Sequence, residues 1–98
     1  MPSAPALGPG TRVARGVDAL HRVLEGEAVI VDLATGTYFG LNEVGTSIWE
    51  RIGAEGGATV EEVAAALETE YEVSRETAER DARALLERMA SRGLVRVL

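Results

Sequence analysis

The chain contains no cysteine and no lysine, one histidine, and only one Trp, two Tyr and one Phe in 98 residues. Without cysteine there are no disulfide frameworks, cysteine–zinc sites or thiol nucleophiles, and a reducing, cytoplasmic setting is the expectation. Without lysine, Schiff-base chemistry and the phosphate-loop lysine are excluded as well. All three prolines fall between Met1 and Gly10, a stretch with neither a basic n-region nor a long apolar run. It is therefore read as neither a signal peptide nor a membrane anchor, but as a disordered tail over residues 1–10. Positive charge is also scarce: the net charge is −6 and the pI near 4.7. That balance disfavours nucleic acid, whose non-specific binding rests on Lys and Arg neutralising phosphates.

What is present fits one small domain, expected over residues 11–98, since shorter chains seldom support two cores. Ala19 to Leu24 and Ala28 to Leu33 read as strands joined by a turn at Glu25-Gly26, and Thr37 to Leu41 as a third. A three-residue loop, Ala34-Thr35-Gly36, would pair Leu33 with Thr37 and Val31 with Phe39. That register puts Val29, Val31, Leu33, Phe39 and Leu41 on the core face, and Ile30, Asp32, Tyr38 and Gly40 outside. Asn42 then caps a helix whose arc is Val44, Gly45, Ile48, Trp49 and Ile52. Thr59 with Glu62 forms a capping box for a second helix with the stripe Val60, Val63, Ala64, Leu67 and Tyr71. Ser74 caps a third, with the stripe Ala78, Ala82, Leu85, Leu86 and Met89, which Gly93 ends. Leu94 to Leu98 suit a short final strand. The expected fold is α+β and winged helix-turn-helix-like: a three-stranded antiparallel sheet followed by three helices.

Catalytic and metal chemistry find no support in these residues. His21 lacks partners for a metal site, and Glu61, Glu68 and Glu72 fit the wet side of a helix. Ser47, Ser74 and Ser91 lack a nucleophile elbow, and Gly36, Gly40 and Gly45 miss the spacing of a phosphate loop. No cofactor, metal or enzymatic activity is expected. Five arginines between Arg75 and Arg92 keep a DNA-binding winged helix as a rival. The edge of Thr37 to Leu41, which carries neither charge nor proline, suits β-augmentation by an extended peptide, unless the final strand or the tail covers it.

The run Asp32-Leu-Ala-Thr-Gly-Thr-Tyr-Phe-Gly-Leu-Asn-Glu-Val-Gly-Thr-Ser-Ile-Trp-Glu, together with Thr59-Val-Glu-Glu-Val, Asp81 and Arg92-Gly-Leu-Val, resembles the PqqD-like family. The resemblance covers residues 19 to 98 and is strongest toward the stand-alone members of lasso-peptide pathways. It implies a recognition element for ribosomally made precursor peptides, which holds the leader as an added strand between the third strand and third helix. The implied partners are the leader, a leader-cleaving cysteine peptidase and an ATP-dependent lasso cyclase. A chaperone for a radical-SAM modifying enzyme is the alternative within the family. Carried onto this chain, the peptide-binding residues are Thr37, Tyr38, Phe39, Gly40 and Leu41 on the strand and Thr77, Asp81, Ala84, Leu85 and Arg88 on the helix. Thr37, Tyr38 and Phe39 would supply strand bonds and Leu85 part of an apolar floor. Asp81 and Arg88 would read charges on the leader, with the flank bearing Glu79 and Arg83 as the other possibility.

Overall fold

Glu25 and Gly26 both take positive φ, 53° and 81°, the mirror-image two-residue turn whose twist matches that of antiparallel strands. This turn joins β2 (Ala19–Leu24) to β3 (Glu27–Asp32), following the short β1 (Arg12–Arg15). The computed structural model describes residues 6–53 and 56–98. After β3 come β4 (Tyr38–Gly40), α1 (Glu43–Arg51), β5 (Ala58–Thr59), α2 (Val60–Tyr71), α3 (Arg75–Ser91) and β6 (Val95–Val97). Strands β2, β3 and β4 form the expected antiparallel meander. A second small sheet, unforeseen in the sequence, pairs β1 between β5 and β6.

The meander corrects the expected register by one residue. Val31 lies opposite Tyr38, Ile30 opposite Phe39 and Val29 opposite Gly40. The cause is the loop, which holds four residues rather than three. The Asp32 amide bonds to Thr37 O (2.9 Å) and the Gly36 amide to Asp32 O (2.7 Å), while Asp32 Oδ1 accepts from the Ala34 amide at 2.9 Å. An Asx turn thus closes the hairpin one residue earlier than a glycine-centred loop would. A one-residue slip exchanges the faces of β3: Ile30 is fully buried, while Val29 and Leu33 are 36% and 61% exposed. On β4 the expectation holds, with Phe39 and Leu41 inside and Tyr38 outside.

All three expected helix caps form. Asn42, Thr59 and Ser74 accept from the amides of Gly45, Glu62 and Thr77, and the Thr59–Glu62 capping box is reciprocal. The core joins Trp49, Ile48 and Ile52 of the α1 region to Val60, Val63 and Leu67 of α2 and to Ala82, Leu86 and Met89 of α3. Residues 1–5 of the expected tail lie outside the described residues. Leu7, by contrast, is buried in the core, its amide bonded to Glu87 Oε2 at 2.9 Å, and the Glu61 amide donates to Pro9 O. Packing therefore begins ahead of Thr11. No helix among the described residues is long and apolar enough to cross a membrane.

The capping box makes a pH prediction. The Glu62 carboxyl is held below its ordinary value, first by the Thr59 amide that it accepts from. A folded-state value below the unfolded one means stability present above the unfolded value, about 4.5, and lost as pH falls through the folded one. Thermal melts of wild type should drop more steeply than those of Glu62→Gln as pH is lowered below about 4.5. Parallel melting curves would assign acid sensitivity elsewhere.

Candidate functional site

Antiparallel pairing decides which backbone groups of β4 are spent and which are free. The Asp32 amide bonds to Thr37 O, and the Leu41 amide to Ala28 O. Bonded pairs recur every second residue, so Phe39, between these two and opposite Ile30, turns its N–H and C=O toward β3. Tyr38 and Gly40 sit at the intervening positions, and their N–H and C=O groups point away from the sheet. Phe39 therefore spends its main chain internally, which corrects its expected role as a donor to a peptide. The final strand does not cover this edge either, because β6 pairs with β1. Among the described residues, no hydrogen bond engages the outward amides of Tyr38 and Gly40.

Thr46 fixes where the free edge ends. Its buried hydroxyl accepts from the Ala28 amide at 2.8 Å and lies 3.5 Å from Leu41 O. It thus bridges the Ala28 amide and the Leu41 carbonyl, in the same pair whose other bond runs from the Leu41 amide to Ala28 O, and lets the chain leave β4 for α1 without orphaning a buried amide. Gly45 permits the close approach: a Cβ there would lie 3.1 Å from Leu41 Cδ2 and 3.3 Å from Asn42 Oδ1. The sequence reading placed Gly45 on the α1 arc and gave it turn geometry or close packing, but missed the role of Thr46.

Across from the free edge stands α3, and between them runs an open groove of about 440 Å³. Its strand wall is Phe39, Gly40 and Leu41, its helix wall Asp81, Ala84, Leu85 and Arg88, and Asn42, Val44, Gly45 and Ile48 also line it. Seven of the residues expected from sequence thus meet in one place: Phe39, Gly40, Leu41, Asp81, Ala84, Leu85 and Arg88. Asn42, Val44, Gly45 and Ile48 join them, having been assigned from sequence only to a cap and a core arc. Thr37 and Tyr38 instead border a smaller adjoining cleft with Asp32, Phe39, Arg92 and Leu94. Thr77 lines neither. Its amide and hydroxyl are engaged by the Ser74 cap at 3.1 and 2.9 Å.

The apolar floor has charge at both ends. Asp81 is exposed and lies 3.7 Å from Arg80. At the other end, the guanidinium carbons of Arg88 and Arg92 lie 5.5 and 5.1 Å from the centroid of the Phe39 ring, within reach of cation–π attraction. The other α3 flank is self-contained: Glu79 and Arg83 pair at 2.8 Å and border a separate hollow.

Among the described residues no group of three or more His, Asp or Glu side chains is placed to hold a metal. His21 meets Trp49 edge-on at 5.9 Å, and Trp49 is fully buried under Arg15. Glu70, in a hollow with Ser47 and Tyr71, is held below the ordinary carboxylate range by the Ser47 hydroxyl and, less, by Arg51. A carboxylate shifted that way is a poorer general base. The DNA-binding rival loses cations too, since Arg75, Arg80 and Arg83 each lie against a carboxylate.

Residues 27–95 match the family described as coenzyme PQQ synthesis protein D (PqqD). No curated protein matches the chain. Two solved structures are similar. One, "TbiB1 in Complex with the TbiA(beta) Leader Peptide", is 38% identical with a TM-score of 0.76, over 84% of this chain and 93% of that one. The other, "Lasso peptide synthetase B1 complexed with the leader peptide", is 28% identical with a TM-score of 0.75, over 87% and 98%.

Proposed function

We propose, from the premise that this chain belongs to the PqqD family, that it captures the leader of a ribosomally made lasso-peptide precursor as an added strand on β4. It then presents that leader to a separate leader peptidase and cyclase, and performs neither reaction itself. The observation that carries this reading is the unspent Tyr38–Gly40 edge facing α3 across an apolar groove. The leader complexes of the two similar proteins support the same reading.

Magnitudes assign the work within the groove. Each main-chain bond adds about 0.5–1.5 kcal/mol net, whereas ordering one leader residue costs about 1–2 kcal/mol. Strand bonds alone therefore do not hold a flexible peptide. Burying two apolar side chains adds about 3–6 kcal/mol, so the floor around Leu41, Ile48 and Leu85 supplies affinity and the edge supplies register.

Amide hydrogen exchange tests this directly. In the free protein the Tyr38 and Gly40 amides should exchange fast and the Phe39 amide slowly. Adding the leader of the precursor encoded beside this chain should slow Tyr38 and Gly40 and leave Phe39 as it was. Saturable binding without protection of those two amides would rule out strand addition. Delivery has its own readout, faster leader cleavage by the peptidase when this chain is present.

A further inference from the structure

The five arginines from Arg75 to Arg92 fall into two groups. Arg75 lies 3.3 Å from Glu68 and 3.8 Å from Glu61, Arg80 3.7 Å from Asp81, and Arg83 2.8 Å from Glu79. Arg88 and Arg92 lie against no carboxylate among the described residues, although the chain carries 16 acidic residues against 10 basic ones. Both are exposed, and both stand over the Phe39 ring, one from the groove and one from the adjoining cleft. Favourable placement near a helix C-terminus explains one cation there. It does not explain why two converge on the same ring at the end of the strand edge.

We propose that Arg88 and Arg92 form a clamp for an acidic side chain of the captured peptide, an inference that rests on the strand-addition reading. The Phe39 ring holds both guanidiniums, which lowers the cost of ordering them, and their planar donor sets suit a carboxylate. Helix rise fixes the spacing. Relative to Leu85, Arg88 stands about 4.5 Å further along α3, and Arg92, which caps the C-terminus of that helix, about 10.5 Å, at 1.5 Å per residue. Residues on one side of a strand recur about every 6.7 Å. The acidic residue therefore sits two positions from the apolar residue seated over Leu85, on the same side of the peptide. Asp81, at the far end of the groove, repels an acidic residue placed in the opposite sense, so the pair of charges also selects the direction of the peptide.

A randomised, C-terminally amidated peptide library screened against the intact chain tests the clamp without knowledge of the natural leader. The expected binders carry Asp or Glu two positions from a large apolar residue. Changing that acid to its amide should weaken binding to wild type roughly tenfold, as for one charge-assisted hydrogen bond. The same change should have little effect on the Arg88→Gln, Arg92→Gln double variant. The peptide comparison on wild type needs no altered protein and so stands even if the double variant folds poorly. Binders that protect the Tyr38 and Gly40 amides but show no acidic preference overturn the clamp and leave strand capture standing. If no binders emerge, or if they leave those amides unprotected, both ideas fall.

Discussion

Gly40→Pro is expected to abolish peptide capture, by roughly a hundredfold or more, while the protein remains folded. The amide of Gly40 points off the sheet, so proline removes no bond from the β3–β4 ladder. It removes one donor to the incoming strand and puts its ring where that strand must lie. Gly40 has no left-handed φ for proline to violate, and a Cβ there would meet nothing within 4 Å. Any change in fold stability should stay under about 1 kcal/mol. Phe39→Pro, one residue earlier, should behave differently: it deletes the rung to Ile30 and a buried ring, and is expected to unfold the hairpin. Calorimetry paired with thermal melts separates the two. A folded Gly40→Pro variant that binds the leader with wild-type affinity would refute strand addition on β4.

That contrast also marks what was legible in the sequence. Helix caps were readable because they are local: Asn42, Thr59 and Ser74 each bond an amide three residues on. The groove was readable in outline, since Tyr-Phe-Gly-Leu-Asn places an edge strand against a cap and the α3 stripe puts Leu85 beside Asp81 and Arg88. The second sheet was not, because β5 has two residues and both its pairing and that of β6 with β1 close long loops. Nor was the role of Thr46, a buried hydroxyl that bridges residues 18 and five positions away. Nothing in a sequence pattern distinguishes it from a helix-surface threonine. The error with most consequence lay in a choice between two plausible loops. Gly36 suggested a three-residue loop, and the Asp32 side chain selects one of four. That change reversed the face of every β3 residue.

The reversal yields the second large effect, on stability. Ile30→Ala should destabilise the protein by about 2–4 kcal/mol, whereas Val29→Ala should cost under about 0.5 kcal/mol. The sequence register would have ranked them the other way. Ile30 is fully buried, facing Phe39 across the ladder, and its truncation leaves a cavity that close-packed core neighbours do not collapse to fill. Val29 shares the outer face with Gly40 and Tyr38 and is 36% exposed, so water fills the space it leaves. In a domain whose total stability is on the order of 5–15 kcal/mol, the Ile30 loss is a large share and should be plain in urea melts. Equal losses at the two positions would mean that β3 has no single register. A free edge defined by Tyr38 and Gly40 would then lose its physical basis, because the same register that buries Ile30 turns those two amides outward.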